Sequence, residues 1–188
     1  PASGRGPGLL VITETFRVNQ VMRDIDAGMA ALGYFALVPD LFWRLEPGVQ
    51  LTDQSKAEWD KALDLMGRFA VDSGVKDIQT GIDYLRALPG CTGKVGALGY
   101  CLGGQLAYLA ATRTDSDASV GYYGIHIQDS LGEAKNIRKP LMLHMGGKDQ
   151  FVPPPAQAKG TEGLQSNPLV TLHHYPQIEY AGVRSGGY

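Results

Sequence analysis

Residues 95–104 read VGALGYCLGG, and this stretch decides the fold. Its apolar first half is typical of a strand that is buried on both faces of a sheet. Its second half fits the pattern glycine-x-nucleophile-x-glycine, in which Cys101 stands between Gly99 and Gly103. The residues that follow continue as an apolar helical stretch. The sequence therefore predicts a strand, a sharp turn that carries Cys101, and a helix, in that order.

The predicted turn places the Cys101 thiol at the N-terminus of the following helix, and this position determines its expected reactivity. The flanking glycines are needed because a Cβ atom at either position would collide with the neighbouring strand or helix. The amide groups and the dipole of the following helix favour a thiolate at Cys101, and the amide of Leu102 is a natural donor to an oxyanion. The alternative is a buried structural cysteine beside packing glycines, and that interpretation is preferred for Cys91, which lies in a connection rich in Pro and Gly.

Strands and helices alternate along the rest of the chain. This order predicts an α/β class with a mostly parallel sheet, helices on both faces, and an active site at the carboxyl ends of the strands. The predicted strands are residues 9–12, 34–38, 95–99, 118–123, 141–145 and 169–175. The predicted helices are residues 19–32, 56–69, 76–88, 101–112 and 155–164, and the tail from residue 176 is predicted to be irregular.

Length and composition narrow the class of protein. The 188 residues, 44% of them hydrophobic, predict one domain spanning residues 1–188. A net charge of -2 argues against a nucleic-acid or anionic-membrane partner. Neither a membrane-spanning apolar run nor a signal peptide is visible, so a cytoplasmic protein with two reduced thiols is expected. The sequence shows neither a cluster of metal-ligating residues nor a phosphate-binding loop. We therefore expect the protein to bind no metal and no cofactor.

The candidate acid is Asp149. It follows a predicted buried strand directly, in the stretch GGKDQFVP at residues 146–153. Where a nucleophile occupies this kind of turn, the triad runs nucleophile, acid, histidine along the chain, and Asp149 has the right place for the acid. The alternative is an aspartate in a surface turn.

The histidine of such a triad is missing from its expected place, the loop after the last strand. Residues 176–183 contain none. His144 lies inside a strand and is interpreted as structural, whereas His126 follows a strand and is expected to be exposed. His173 and His174 lie in the last strand or at its end, too far back to reach the nucleophile without a bent loop.

Six stretches together resemble one family, that of dienelactone hydrolase (carboxymethylenebutenolidase), along nearly the whole chain. The resemblance implies an α/β-hydrolase fold and a monomer that opens an unsaturated lactone in bacterial chloroaromatic catabolism. The family's usual N-terminal hairpin is not found in this sequence. The matching stretches are VITETFRVN at 11–19, VPDL at 38–41, GKVG at 93–96, GYCLGG at 99–104, VGYYG at 120–124 and HMGGKDQFVP at 144–153.

The resemblance assigns roles to matching positions. It implies that Cys101 is the nucleophile, Asp149 the triad acid, and Glu14 the carboxylate that takes the thiol proton when substrate binds. The amide of Thr15 would be the second oxyanion donor. Arg184 matches an arginine that pairs with the substrate carboxylate through its planar fork. On the residues alone, Glu14 reads equally as a charge at a strand end, and Arg184 as a solvated tail residue.

The sequence departs from the family at three positions. The family's histidine falls on Tyr180, and a phenol with a pKa of about 10 is a poor general base near neutral pH. A nearby aromatic residue of the family falls on Gly182. An arginine that helps to hold the substrate carboxylate falls near Trp59, for which Lys61 or Arg68 are the alternatives.

Three hypotheses follow from these departures. The first is a cysteine hydrolase of small lactones or esters that acylates normally and turns over slowly. The second is a catalytically impaired protein of the same fold that acts as a small-molecule binding or thiol redox-sensing module. The third is that the tail of the sequence is incorrectly assigned or incomplete, and that a histidine belongs in the loop. The identity of the substrate cannot be read from these motifs.

Overall fold

A six-stranded parallel sheet forms the centre of the protein, in a computed structural model that describes residues 1–179. The strands lie side by side in the order β2-β1-β3-β4-β5-β6. They are β1 (Gly6–Ile12), β2 (Phe35–Leu37), β3 (Cys91–Tyr100), β4 (Ala118–Tyr122), β5 (Leu141–Lys148) and β6 (Val170–Glu179). The α-helices are α1 (Gln20–Ala31), α2 (Lys56–Gly67), α3 (Val71–Ala87), α4 (Leu102–Arg113) and α5 (Pro154–Leu164).

The strand order creates a crevice between β1 and β3. The chain passes from β1 outward to β2, then returns across β1 to β3 and continues in the opposite direction. Because such crossovers are right-handed, α1 and α4 cover opposite faces of the sheet. The loops after β1 and β3 therefore separate at the carboxyl edge, which is the place where open α/β sheets bind ligands.

Burial explains why the apolar runs form the central strands. Leu10, Val11 and Ile12 at the end of β1 are completely buried, as expected of a strand that is covered on both faces. Helix α4 is buried along nearly its whole length and packs against β3 and β4. A helix that is apolar all round belongs in a core, and this one holds its N-terminus at the carboxyl edge of β3.

Helix α1 begins where its sequence predicts. The Asn19 side chain accepts a hydrogen bond of 3.2 Å from the amide of Met22, which is the contact that defines an N-cap. The second Asn19 interaction, from its amide nitrogen to the carbonyl of Leu51 at 3.0 Å, fixes the loop between β2 and α2 against the start of the helix.

The C-terminal end of the described chain differs from the prediction. Strand β6 continues to Glu179, and residues 176–179 are therefore not irregular. Pro176 lies in an edge strand, at an irregularity in the pairing of β6 with β5 between Gly146 and Lys148. Edge strands and bulges are the places in a sheet where proline is tolerated. The strand passes close to β5, where a Cβ atom at Gly147 would lie 2.7 Å from the Cα atom of Pro176. Two short 3-10 helices, Ile127–Asp129 and Leu131–Asn136, also escaped prediction.

Among residues 1–179, no helix is both long and apolar enough to cross a membrane. The same residues contain no group of three or more His, Cys, Asp and Glu side chains arranged to hold a metal ion.

Candidate active site

Cys101 occupies a strained turn between β3 and α4. Its backbone has φ 55° and ψ -116°, a left-handed φ that non-glycine residues rarely adopt and that costs about 1–3 kcal/mol. The amide of Cys101 donates to the carbonyl of Tyr122 at 3.0 Å, and its carbonyl accepts from the amide of Gly104 at 2.9 Å. These backbone hydrogen bonds therefore stabilise a conformation of Cys101 that is unfavourable for an isolated cysteine residue.

The glycines around the turn have the steric purpose that the sequence predicts. A Cβ atom at Gly99 would lie 1.8 Å from the carbonyl oxygen of Gly103, and one at Gly103 would lie 2.3 Å from the carbonyl oxygen of Ile12. A Cβ atom at Gly104 would lie 2.6 Å from the carbonyl oxygen of Tyr122. These contacts involve backbone atoms that cannot move aside, so the close approach of α4 to β1, β3 and β4 depends on the three glycines.

The thiol faces the loop after β1. Thr15 Oγ1 lies 3.9 Å from Cys101 Sγ and donates its proton to the sulfur of Met66 in α2 at 3.3 Å. The Thr15 hydroxyl therefore lies within reach of both sulfur atoms, and in its contact with Cys101 either group can be the donor. Leu102 is the first residue of α4, so its amide is one of the four helix N–H groups that have no acceptor within the helix.

Glu14 lies on the same loop and is 2% exposed. The hydroxyl of Tyr123 donates to Glu14 Oε1 at 2.7 Å, and Tyr123 is itself 1% exposed with a left-handed φ of 38°. Tyr123 lies in the VGYYG stretch that matches the family, but its contact with Glu14 was not predicted from the sequence. The available signal was its position directly after β4, at the edge where the other candidate residues emerge. The phenol gives a buried carboxylate a hydrogen-bonding partner and a fixed orientation.

Asp149 follows β5 and is 4% exposed. Its Oδ1 atom accepts hydrogen bonds from the amides of Phe151 at 2.8 Å and Val152 at 3.3 Å. Its Oδ2 atom is buried and has no hydrogen-bond partner among the described residues. Burial raises the pKa of Asp149 above its ordinary value, and the two backbone hydrogen bonds oppose this change. The carboxyl group is thus held rigidly with one oxygen available to a donor that residues 1–179 do not supply.

Strand spacing sets the distance between the thiol and this carboxyl group. Strand β4 separates β3 from β5, so Cys101 and Asp149 emerge two strand spacings apart, about 10 Å. This arrangement leaves room for a third side chain between them. Tyr180, which the resemblance places there, and Arg184 both lie outside the described residues.

The four histidines are engaged elsewhere. His144 Nδ1 lies 2.8 Å from the hydroxyl of Tyr175, and its ring stacks on Tyr122 with 4.3 Å between centroids. Burial lowers the pKa of His144, with a smaller effect from His173. His174 Nε2 lies 3.1 Å from Thr161 Oγ1. The exposed His126 lies 3.1 Å from an Asp129 oxygen in the first 3-10 helix. His144 is therefore structural, and His126 is exposed, as the sequence predicts.

The two alternative cations for the substrate carboxylate are also paired. Lys61 Nζ lies 2.7 Å from Glu46 Oε1, and Arg68 Nη1 lies 3.1 Å from Asp64 Oδ2. Both pairs are substantially exposed, so they are worth little in stability. The Trp59 ring, near which the resemblance places the family's arginine, packs against Phe16 and Phe151.

Because one oxygen of the Asp149 carboxyl group is buried without a partner among the described residues, ionisation of this group is expected to destabilise the folded protein as the pH rises. The folded protein holds the proton of this carboxyl group more tightly than the unfolded chain does, because burial raises its pKa above 3.8. The contribution of the Asp149 carboxyl group to the free energy of unfolding is therefore fully present below pH 3.8. It is lost as the pH rises through the pKa of the folded state. We expect Asp149→Asn, which keeps an acceptor oxygen and cannot ionise, to stabilise the protein by about 1 kcal/mol at pH 7.

Thermal unfolding of the two proteins at pH 3.5 and pH 7 measures this effect. A gain of 1 kcal/mol corresponds to about 3 °C for a chain of this size. The difference should appear at pH 7 and vanish at pH 3.5. Asp24→Asn, on the exposed face of α1, is the matched control and should show no such change with pH. An Asp149→Asn variant that is less stable at pH 7 than at pH 3.5, relative to the parent, would contradict the prediction.

Comparisons with known proteins agree with this fold and with the motifs. The sequence profile of the Dienelactone hydrolase family matches residues 1–185. A "Putative carboxymethylenebutenolidase" of Azospirillum brasilense is 44% identical in an alignment of 194 positions that covers 98% of this chain and 79% of the relative. The "Carboxymethylenebutenolidase" of Pseudomonas putida is 38% identical in an alignment of 190 positions that covers 100% of this chain and 80% of the relative.

Solved structures support the fold independently. The "Crystal Structure of Putative Dienelactone Hydrolase from Klebsiella pneumoniae subsp. pneumoniae MGH 78578" superposes with a TM-score of 0.82 at 21% identity, over 100% of this chain and 82% of that one. The dienelactone hydrolase-like promiscuous phosphotriesterase P91 from metagenomic libraries superposes with a TM-score of 0.73 at 23% identity, over 95% of this chain and 73% of that one. The predicted α/β-hydrolase fold is confirmed, and the chain belongs to the dienelactone hydrolase family.

Proposed function

We propose that this protein hydrolyses small lactones or esters through a thioester on Cys101. The observation that carries the proposal is the strained turn, which holds the Cys101 sulfur at the N-terminus of α4 and 3.9 Å from Thr15 Oγ1. Strain of this kind persists where the surrounding structure enforces it, and it is concentrated at functional sites. Membership of a family of hydrolases supports the same reaction class.

The first half of the proposed reaction forms the acyl-enzyme. Glu14 accepts the thiol proton, and the thiolate of Cys101 adds to the substrate carbonyl carbon. The amides of Leu102 and Thr15 would then donate to the oxyanion. When the tetrahedral adduct collapses, the C–O bond to the leaving group breaks, and the leaving oxygen takes the proton held by Glu14. In a lactone the leaving oxygen remains attached to the acyl chain.

The second half of the reaction releases the acid. Water adds to the thioester carbonyl, the C–S bond breaks, and the thiolate is reprotonated. This step ordinarily uses a histidine that is oriented by the acid to remove a proton from water. With Tyr180 at the corresponding position, the proposal is that acylation is fast and deacylation is slow.

Rapid mixing with p-nitrophenyl acetate tests the proposal. We expect a burst of p-nitrophenolate equal to the enzyme concentration, followed by a steady state at least about a hundredfold slower. Intact-mass measurement after the burst should find one acetyl group per chain. Rapid steady-state turnover that is undiminished in Tyr180→Phe would rule out slow deacylation. Absence of both burst and turnover with any ester or lactone would rule out the proposed hydrolase.

A further inference from the structure

The side-chain hydroxyl of Thr15 lies between two sulfur atoms. Thr15 Oγ1 donates to Met66 Sδ at 3.3 Å and lies 3.9 Å from Cys101 Sγ. Thr15 is 5% exposed, Cys101 is 6% exposed and Met66 is half-buried, so the three side chains meet largely away from water. The proposed reaction uses the backbone amide of Thr15 and leaves the function of its hydroxyl open.

Backbone contacts on both sides of Thr15 fix the position of this hydroxyl. The amide of Arg17 donates to the carbonyl of Glu14 at 3.1 Å, which closes a turn around Thr15 and Phe16. The carbonyl of Phe16 accepts from the amide of Leu51 at 3.2 Å, so the loop after β1 is tied to the segment before α2. Because a β-branched side chain has few rotamers, Oγ1 is held near both sulfur atoms.

The two sulfur atoms differ as hydrogen-bond acceptors. The thioether of Met66 is a neutral, weak acceptor at every pH. The sulfur of Cys101 is equally weak as a thiol, but it becomes an anion when its proton leaves. A hydrogen bond to an ionised group is about twice as strong as one between neutral groups. The Thr15 proton therefore gains most by turning from Met66 to Cys101 when the thiolate forms.

We propose that the Thr15 hydroxyl is a catalytic group that donates to the Cys101 thiolate, and that Met66 accepts this hydrogen bond while the thiol is protonated. The inference rests on the proposed function and adds a residue to it. Glu14 receives the thiol proton, as in the proposed acylation, whereas Thr15 keeps its own proton and only rotates its O–H bond. The hydroxyl thus stabilises the nucleophile before the carbonyl group arrives, and the Thr15 amide stays available to the oxyanion.

Thr15→Val tests the hydroxyl, since valine keeps the shape of the side chain and the backbone amide. Alkylation of Cys101 by iodoacetamide from pH 5 to pH 10, followed by peptide mass, reports the thiolate without using an ester. We expect the rate constant at the acidic end of this range to fall about five- to tenfold in Thr15→Val. The two proteins should converge at high pH, where the thiol is fully ionised. Thr15→Ser, which restores the hydroxyl, should recover most of the loss.

Met66→Leu is expected to have the opposite effect. Leucine keeps apolar bulk and removes the competing acceptor, so the Thr15 hydroxyl turns to Cys101 more readily. Alkylation at the acidic end should rise about two- to threefold. The rise should disappear when Thr15→Val is added, because the two residues act through one hydrogen bond. Thr80→Val, which removes a hydroxyl on the exposed face of α3, is the matched control and should change none of these rates.

The other titratable groups at this edge of the sheet stay in place in every variant. Glu14, Tyr123 and Asp149 follow β1, β4 and β5, and Tyr100 ends β3. These groups and the N-terminus of α4 all influence the ionisation of the thiol. Because none of them is changed, a difference between Thr15→Val and Thr15→Ser isolates the hydroxyl.

The burst with p-nitrophenyl acetate connects the thiolate to catalysis. At pH 6, the burst rate of Thr15→Val should fall by the same factor as its alkylation rate. Alkylation profiles of the parent and Thr15→Val that coincide at every pH would overturn the inference, and so would a Met66→Leu effect that persists in the Thr15→Val background. Both failures leave the proposed hydrolase standing if the parent keeps its burst. A parent that shows the alkylation pattern but neither burst nor turnover would overturn the proposed hydrolase instead.

Discussion

Cys101→Ala is expected to abolish the p-nitrophenolate burst and the acetyl adduct, with acylation reduced by about 10⁴-fold or more. Alanine removes the sulfur and leaves the strained backbone and its hydrogen bonds in place, so binding of the ester should persist. The burst amplitude and the intact mass after mixing with p-nitrophenyl acetate are the measurements.

The chain provides its own control for this variant. Cys91, at the start of β3, is the second thiol and is half-buried. Cys91→Ala removes the other sulfur atom, at the opposite end of β3 from the turn that carries Cys101, and we expect it to keep the full burst. An acetyl group found on Cys91 in the parent protein, or a burst that survives in Cys101→Ala, would show that the nucleophile has been assigned to the wrong residue.

The second large effect is expected from Tyr180→His. The buried Oδ2 atom of Asp149 has no partner among residues 1–179, and an imidazole N–H would satisfy it and become fixed in one tautomer. The opposite ring nitrogen would then be free to accept a proton from water. General-base assistance of this kind contributes about 10²–10⁴-fold, so we expect deacylation to accelerate by that factor. The steady-state rate after the burst is the measurement.

Two further variants show whether the gain depends on Asp149. Tyr180→Phe should give no acceleration, since it supplies no base. Adding Asp149→Asn to Tyr180→His should remove most of the gain, because the amide cannot stabilise an imidazolium. Free imidazole added to Tyr180→Ala should also accelerate deacylation with saturation, and less so when Asp149→Asn is added. A Tyr180→His protein whose burst still stalls would contradict this account of slow turnover.

The sequence predicted the sheet, its helices and the turn at Cys101 because these features depend on local patterns. Apolar runs of a few residues mark strands buried on both faces, and glycines flanking a nucleophile mark a turn that only glycine permits. The prediction failed at residues 176–179, where a proline suggested that the strand had ended. Pairing with β5 resumes past Pro176, at Lys148 and Glu179, after an irregularity in the register, and edge strands and bulges tolerate proline.

The contacts that define the site could not be predicted in the same way. The hydrogen bond from Tyr123 to Glu14 joins residues that are 109 positions apart in the sequence. It also depends on the left-handed backbone of Tyr123, which no sequence pattern predicts. The unpartnered oxygen of Asp149 is visible only when every neighbouring donor has been located. Likewise, Trp59 could be identified as a departure from the family, but its parallel arrangement with Phe151 requires coordinates.

The two edges of the parallel sheet differ in how freely the length of their loops can change. The loops at the carboxyl edge carry the site residues, whereas the connections at the opposite edge carry none. Glu14, Cys101, Tyr123 and Asp149 each follow a different strand at its carboxyl end. The segments that lead into those strands, such as the exposed residues Arg138 and Lys139 before β5, lie at the opposite edge. Insertions or deletions there change the connection without moving any of the four side chains. Natural and engineered relatives can therefore diverge in length at one edge of the molecule while the chemistry at the other edge stays in register.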